Sequence, residues 1–188
     1  MRTHLHIAIR FTLITTVIFG IIYPLTITAI AHFAMHDKAN GQLMSRNGVI
    51  IGSRIIGQKF TSDIYFHGRP SAAGNGYDAA NSGGSNLAPS NALLVEHIQS
   101  AVAAYQTQNP GQPVPIDLVT SSASGIDPDI SPAAALYQVH TVAAARHIPQ
   151  ETVRKLVDAH IQGRQYGLLG EPRVNVLELN LALDALPH

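Results

Sequence analysis

Arg69 is a lone cation in a loop otherwise rich in Gly, Ser, Asn and Pro, set between Gly68 and Pro70. A guanidinium so placed offers a forked contact to a carboxylate or other anion, and a bridge to one of the chain's own acids would use the same fork. A little further on, Ser82-Gly83-Gly84-Ser85 could curl its backbone amides into an anion-binding nest, although these residues also favour ordinary turns. Gly74-Asn75-Gly76-Tyr77-Asp78-Ala79 matches GxGxxA. It lies inside a loop, however, and does not join a strand to the helix whose N-terminus would receive a pyrophosphate. The sequence has no GxxxxGK[ST] phosphate loop and no HExxH. Among its 10 histidines, His32 and His36 share a helix face at the edge of an apolar stretch. His140, His147 and His160 lack carboxylate or cysteine company at ligand spacing, and the absence of cysteine excludes disulfides and thiolate metal sites. The expectation is therefore no catalytic constellation and no metal centre.

The element that must position all of this is a membrane segment. Phe11 to Ala34 is unbroken by charge, and a helix crosses the hydrocarbon core with about 20 mainly apolar residues. Arg2 and Arg10 precede the run, and His36, Asp37 and Lys38 follow it; basic flanks stay cytoplasmic, which places residues 1–10 inside and residues 35–188 outside. A cleaved signal peptide is the alternative, because Ala29-Ile30-Ala31 fits the small-x-small cleavage pattern, but the apolar stretch exceeds the roughly 7–15 residues of a signal core. Pro24 within the span is tolerable where neighbouring groups compensate. Thr12, Thr16, Gly20, Pro24 and Thr28 recur every four residues, a stripe of small or polar groups that allows helix backbones to approach closely. Thr16, Gly20 and Pro24 are the expected contacts to a partner helix. Chance in a threonine-rich helix would give the same spacing.

Beyond the span the sequence describes one α+β domain. Asn47-Gly48 between Gln42–Met44 and Val49–Ile51 signals a hairpin, since both turn positions favour positive φ, and the β character extends to about Phe60. Gly68–Ser90 is a long irregular segment anchored by Tyr65, Phe66, Tyr77 and Leu87, the kind of loop that is functional or disordered; the anchors favour an ordered loop. Ser90 or Asn91 caps a helix whose inner face is Leu94, Ile98, Ala101, Val102 and Tyr105, ended by Asn109-Pro110-Gly111. Pro115–Thr120 reads as a buried strand. Ser131-Pro132 opens a helix to about His147, and Pro149 opens another with Val153, Leu156, Val157 and Ile161 inward and Gly163 as its stop. Asn175 and Glu178 have capping-box spacing, which favours helix over strand for Val176–Leu186.

Composition narrows the function class. The 12 basic and 12 acidic residues balance, so nothing marks a nucleic-acid footprint. Charged residues make up 13% of the chain against the roughly 25% of soluble domains. Part of that deficit is the membrane helix, and the rest suits a domain that buries surface against a partner or has a polar, uncharged exterior.

Three long segments carry a family resemblance. They are Tyr65–Ala72 with Tyr77, Ala80–Leu87 and Ser90-Asn91; Val119–Ala134; and the ending Val174–Asp184. Together with the N-terminal span they resemble the C subunit of the bacterial Kdp potassium-transporting P-type ATPase over nearly the whole chain. The resemblance implies a single-pass subunit of a bacterial inner-membrane complex that imports potassium with ATP. Its implied partners are a channel-like potassium-binding subunit and an ATP-hydrolysing P-type subunit. It further implies a catalytic chaperone that raises ATP affinity, with no cofactor of its own. Independently, this sequence contains no DKTGT phosphorylation motif and one span cannot enclose a pore. Ser82, Gly83, Gly84 and Ser85 are where the resemblance would put a nucleotide contact, yet no basic residue stands beside them to neutralise phosphate. An extracytoplasmic domain cannot meet cytoplasmic ATP, so influence on ATP use is expected to pass through the helix and partner contacts.

The docking face is expected on the 68–91 loop, with Arg69, Asn81 and Asn86 facing the channel-like partner, because uncharged donors and acceptors meet a polar interface without burying unpaired charge. The competing class is a membrane-anchored envelope enzyme using the same loop as its active-site rim.

Overall fold

The computed structural model describes residues 2–186, and the chain divides into two compact units between Leu43 and Met44. The first is one helix from Arg2 to Ala34, followed by a short turn. Its segments α1 (Arg2–Val17) and α2 (Tyr23–Ala34) join through a π turn at Ile18–Ile22. Pro24 explains the widening: its ring crowds the preceding turn and it brings no N–H. An i→i+5 register, with the Tyr23 N–H on the Ile18 carbonyl, gives the ring room. The helix starts well ahead of Phe11, so residues 2–10 continue it. Met35 ends it at φ −138°, before α3 (His36–Ala39). The His32 and His36 rings still meet edge to face at 5.0 Å.

None of the side chains in α1, the π turn or α2 is buried. Two threonines satisfy their own hydroxyls: Thr15 Oγ1 donates to the Phe11 carbonyl at 2.8 Å and Thr26 Oγ1 to the Ile22 carbonyl at 2.8 Å. Among the described residues, the stripe threonines Thr12, Thr16 and Thr28 have no such bond.

The second unit opens from the second residue of β1 (Leu43–Arg46), which forms a hairpin with β2 (Val49–Ser53). Asn47 at φ 53° and Gly48 at φ 79° make its turn, as the Asn-Gly pair predicts. β2 stops at Ser53 instead of running to Phe60. Only an isolated bridge, Ser53 to Ile56, continues the pairing, because the Gly57 N–H turns away to the Ile126 carbonyl at 2.8 Å. The Asn91 carboxamide caps α4 (Ala92–Gln108). The face expected to point inward is the half-buried one, while Leu93 and Val95 beside it are exposed.

Pro115–Thr120 is not a strand. Residues Ile116–Leu118 form a 3-10 turn. Ile116 is 74% exposed while the adjacent Leu118 and Val119 are both buried, a pattern without strand alternation. Thr120 Oγ1 donates back to the Ile116 carbonyl at 2.7 Å, and the Asp117 carboxylate receives the N–H and hydroxyl of Ser131.

Ser131 in turn caps α5 (Pro132–Arg146) by accepting from the Ala134 N–H. α5 ends on His147 in the left-handed region, where the His147 and Ile148 amides close onto Ala144 and Ala143. α6 (Gln150–Ala159) follows Pro149. It buries Val153 and Val157, with Leu156 half-buried. It ends at Ala159, earlier than Gly163, because the His160 ring takes up the Leu156 carbonyl at 2.8 Å and the chain leaves to pair Gln162 with Arg173.

The antiparallel pair β3 (Asp129–Ile130) and β4 (Val174–Asn175) leads straight into α7 (Val176–Asp184), capped by Asn175 accepting from the Glu178 N–H. The last segment is thus a helix for most of its length. Phe66, Leu118, Ile130, Val142, Val157 and Leu179 lie in one core shared by α5, α6 and α7, and the domain is α+β as expected.

Candidate interaction surface

The loop after Phe66 is held by two side-chain amides. Asn180 on α7 accepts the Phe66 N–H at 2.8 Å and donates to the Phe66 carbonyl at 3.0 Å. Gln138 on α5 does the same to His67, at 2.7 and 3.1 Å. A backbone segment with no strand neighbour thereby obtains the donors and acceptors a strand would supply, which a buried chain requires. Asn180 and Phe66 are 1% and 0% exposed.

Arg69 leaves this clamp toward residues 120–127. Its Nη1 meets Asp127 Oδ2 at 3.3 Å, and its Nη2 donates to the Ser121 carbonyl at 3.3 Å. Arg69 is therefore a tie within the domain, the second of the two uses open to its fork, and it remains half-buried beside the loop surface. Next, Ser71 Oγ accepts from the Tyr77 N–H at 2.7 Å and donates to the Gly125 carbonyl. The Tyr77 hydroxyl returns to the Arg69 carbonyl at 2.6 Å. A Cβ on Gly125 would strike the Gly83 carbonyl and the Ala73 amide, so the crossing of the two loops requires glycine there.

This loop is ordered through its own bonds. Gly74 and Gly76 both take positive φ and lead into a 3-10 turn at Ala79–Asn81, so the GxGxxA match lies inside a loop, as expected. Asn81 donates to Asp78 Oδ2 at 2.6 Å. Asn86 sits at φ 52°, and both asparagines are exposed. The Gly83 N–H and the Ser82 hydroxyl each donate to the Ser124 carbonyl at 2.9 Å, so the Gly83 amide of the Ser82–Ser85 nest is already engaged. Between this loop and α4 lies a cleft of about 660 Å³ with apolar walls from Leu87, Leu93, Leu94, Ile98 and Val119. Arg69, Asn81 and Asn86 thus lie on one loop, and Thr16, Gly20 and Pro24 on a different unit. Among the described residues no group of three or more His, Cys, Asp or Glu could hold a metal.

Sequence reasoning missed Gln138 and Asn180. The available signal was Asn180 inside Leu177–Leu183, a carboxamide amid residues that must be buried.

Burial shifts the titrations here. The Tyr77 hydroxyl is pushed up to about 12, first by desolvation and then by the nearby Asp127 carboxylate. Asp78 is held below its usual range by the Asn81 carboxamide and then the Ala80 amide. Because the folded Tyr77 keeps its proton to higher pH than the unfolded chain, its contribution is full below pH 10 and is lost as pH rises through about 12. We expect unfolding midpoints to fall between pH 10 and pH 12, with about 2 kcal/mol of the loss traceable to Tyr77. In Tyr77→Phe that part of the slope disappears, leaving the share of Tyr105 and Tyr137, which burial also raises. Denaturant titrations at pH 8 and pH 11.5 measure the difference.

The family model described as the K+-transporting ATPase c chain, KdpC, matches residues 5–185. The potassium-transporting ATPase KdpC subunit of Koribacter versatilis is 55% identical over 184 residues, covering 98% of this chain and 95% of that protein. The corresponding subunit of Acidobacterium capsulatum is 54% identical, covering 97% and 98%. That of Methylobacterium nodulans is 50% identical, covering 99% and 96%. With a family model matching residues 5–185 and relatives 50–55% identical over nearly their whole length, this chain belongs to the KdpC family of potassium-transporting ATPase subunits.

Proposed function

We propose that the chain is a non-catalytic accessory subunit, anchored once in the bacterial inner membrane with its N-terminus cytoplasmic and its domain on the outer face. There it assembles with a channel-like potassium-binding subunit and an ATP-hydrolysing P-type subunit, stabilises their complex and acts as a catalytic chaperone for ATP binding. Its effect on ATP affinity passes through the helix and subunit contacts and needs no nucleotide at Ser82–Ser85. The observation that carries this reading is the helix from Arg2 to Ala34: it is wholly unburied, and three hydroxyls of its small-residue stripe have no partner in their own helix. In membrane helices threonine hydroxyls hydrogen-bond across to a neighbouring helix and small residues let it approach closely, so a second helix suits this stripe. The test is purification in mild detergent from cells making all subunits. Potassium-stimulated ATPase activity co-purifying with the chain supports the proposal. A solitary chain with hydrolytic activity of its own would establish the envelope enzyme instead, and protease accessibility in spheroplasts checks the orientation.

The loop surface carries its own expectation. Arg69→Ala removes a half-exposed ion pair, about 1 kcal/mol of stability, and loosens the tie to residues 120–127. Asn81→Ala combined with Asn86→Gly is the cleaner probe, because glycine keeps the left-handed backbone at position 86 that alanine would strain. Both variants should remain folded by circular dichroism and lose several-fold in recovered complex or potassium-dependent ATPase activity. Wild-type values for both would move the docking face elsewhere on the domain.

A further inference from the structure

Residues 164–170 form a finger that the domain's own packing does not use. Gln162 and Arg173 exchange N–H···O bonds of 2.8 and 3.0 Å at its base, and Gln165 and Leu169 exchange bonds of 2.8 and 2.9 Å above them. Arg164 Nη2 reaches both Glu171 carboxylate oxygens, at 2.8 and 2.7 Å. On this braced stalk Tyr166, Leu168 and Leu169 are 90%, 76% and 58% exposed. Adjacent apolar side chains held in water signal an interaction site.

Tyr166 supplies an independent observation. Its φ is 55°, a region unfavourable for a bulky residue and suited to glycine or asparagine. Tyr77 adopts the same conformation at φ 57°. Its ring, however, lies against Gly57 and Gly68, and its hydroxyl donates to the Arg69 carbonyl. The Tyr166 ring makes no comparable contact among the described residues. The fold carries the strained backbone and the exposed ring without using either, so their use lies outside the domain.

Charge selects the partner. Arg164 is paired with Glu171 and Arg173 with Asp129 at 3.0 Å, so both cations flanking the tip are already neutralised. A finger for anionic lipid headgroups would present free cations, and a fluid bilayer gains nothing from a pre-set turn. A rigid, neutral tip of one phenol and two leucines suits a preformed protein pocket, where pre-ordering reduces the entropy lost on binding and tyrosine is a favoured anchor. We propose that the Tyr166–Leu169 finger docks into an uncharged apolar pocket of another subunit of the potassium-transporting ATPase, with an acceptor there for the Tyr166 hydroxyl. This rests on the accessory-subunit reading.

The experiment places the photoreactive residue p-benzoylphenylalanine at Leu168, and at Gln106 as a control, in cells making the whole complex. A Leu168 adduct with another ATPase subunit, at least tenfold above the control, is expected. Adducts with lipid only, adducts with a second copy of this chain, or none at all would overturn the proposal. In parallel, Tyr166→Gly relieves the backbone strain, so the melting temperature of the full chain in detergent should hold or rise while recovery of the other subunits falls about fivefold. Unchanged recovery overturns the docking role. The accessory-subunit reading fails differently: the wild-type chain itself would then retain no ATPase subunit.

Discussion

Replacing Asn180 with leucine should unfold the domain at temperatures where the wild type is intact. The substitution is nearly isosteric and places an apolar side chain in an apolar site, so neither cavity nor hydrophobicity argues against it. What it removes is the pair of bonds to the Phe66 N–H and carbonyl, in a position only 1% exposed. Each backbone group left buried without a partner costs about 1–3 kcal/mol, so the loss is about 3–5 kcal/mol, a large part of the roughly 5–15 kcal/mol that holds a domain together. At about 3 °C per kcal/mol for a domain of this size, the melting temperature falls by about 10–15 °C. Asn180→Asp separates the bonds from the packing. Its neutral carboxylic acid can still accept from one backbone group and donate to the other, whereas the carboxylate opposes the Phe66 carbonyl with negative charge. The buried acid's pKa is raised on folding, so stability should be present at low pH and lost as pH rises through the folded value. Calorimetry of the two variants from pH 4 to pH 7.5 measures both effects. A leucine variant as stable as the wild type would mean the clamp is incidental to the fold.

That clamp also marks where sequence reading stops. Local chemistry was legible: Asn91, Ser131 and Asn175 each cap the helix they precede. Asn47-Gly48 turns the hairpin, and helical period identified the inner faces of α4 and α6. These features depend on neighbours within a few residues, and the short-range preferences of caps and turns decide them. Pro115–Thr120 misled because a β-branched, apolar run was weighed by propensity. The segment's fate was decided by Asp117 reaching Ser131, 14 positions away, and β-propensity yields to such context. The two-residue pairing of β3 with β4 has too little sequence to leave a pattern. Gln138 and Asn180 act on a chain segment 71 and 114 residues away, a separation that no window along one sequence detects. The loop they hold was legible as a loop and as ordered. The internal tie of Arg69 was one of two readings its guanidinium allowed, and only the position of Asp127 decided between them.

Gly20→Leu should lower recovery of the other ATPase subunits at least tenfold while leaving the chain itself intact, and the reason lies in what the helix does not need. A Cβ at Gly20 would meet only the Thr16 Cγ2, at an ordinary 3.7 Å, so the substitution strains nothing within the helix. Leucine is also a better helix former than glycine by nearly 1 kcal/mol and more apolar in lipid. Any loss therefore arises between helices, where the side chain holds apart backbones that a small residue lets approach. The site is a sensitive one. Pro24 lacks an N–H, which leaves a carbonyl in the preceding turn, at Phe19 or Gly20, short of its usual donor, and the π turn at Ile18–Ile22 widens the backbone there. Close approach lets a neighbouring helix serve that carbonyl together with the Thr12, Thr16 and Thr28 hydroxyls. A tenfold loss corresponds to about 1.4 kcal/mol, about what one lost interhelical hydrogen bond is worth in a membrane. Gly20→Ala should fall between leucine and the wild type. Ile14→Leu, about 120° around the helix from Gly20 at ~100° per residue, should change nothing. Affinity purification in mild detergent, with subunit ratios read from stained gels, gives the comparison. Equal recovery for Gly20→Leu and Ile14→Leu would show that the stripe is a composition bias of the anchor, and the partner helix would have to pack on another face.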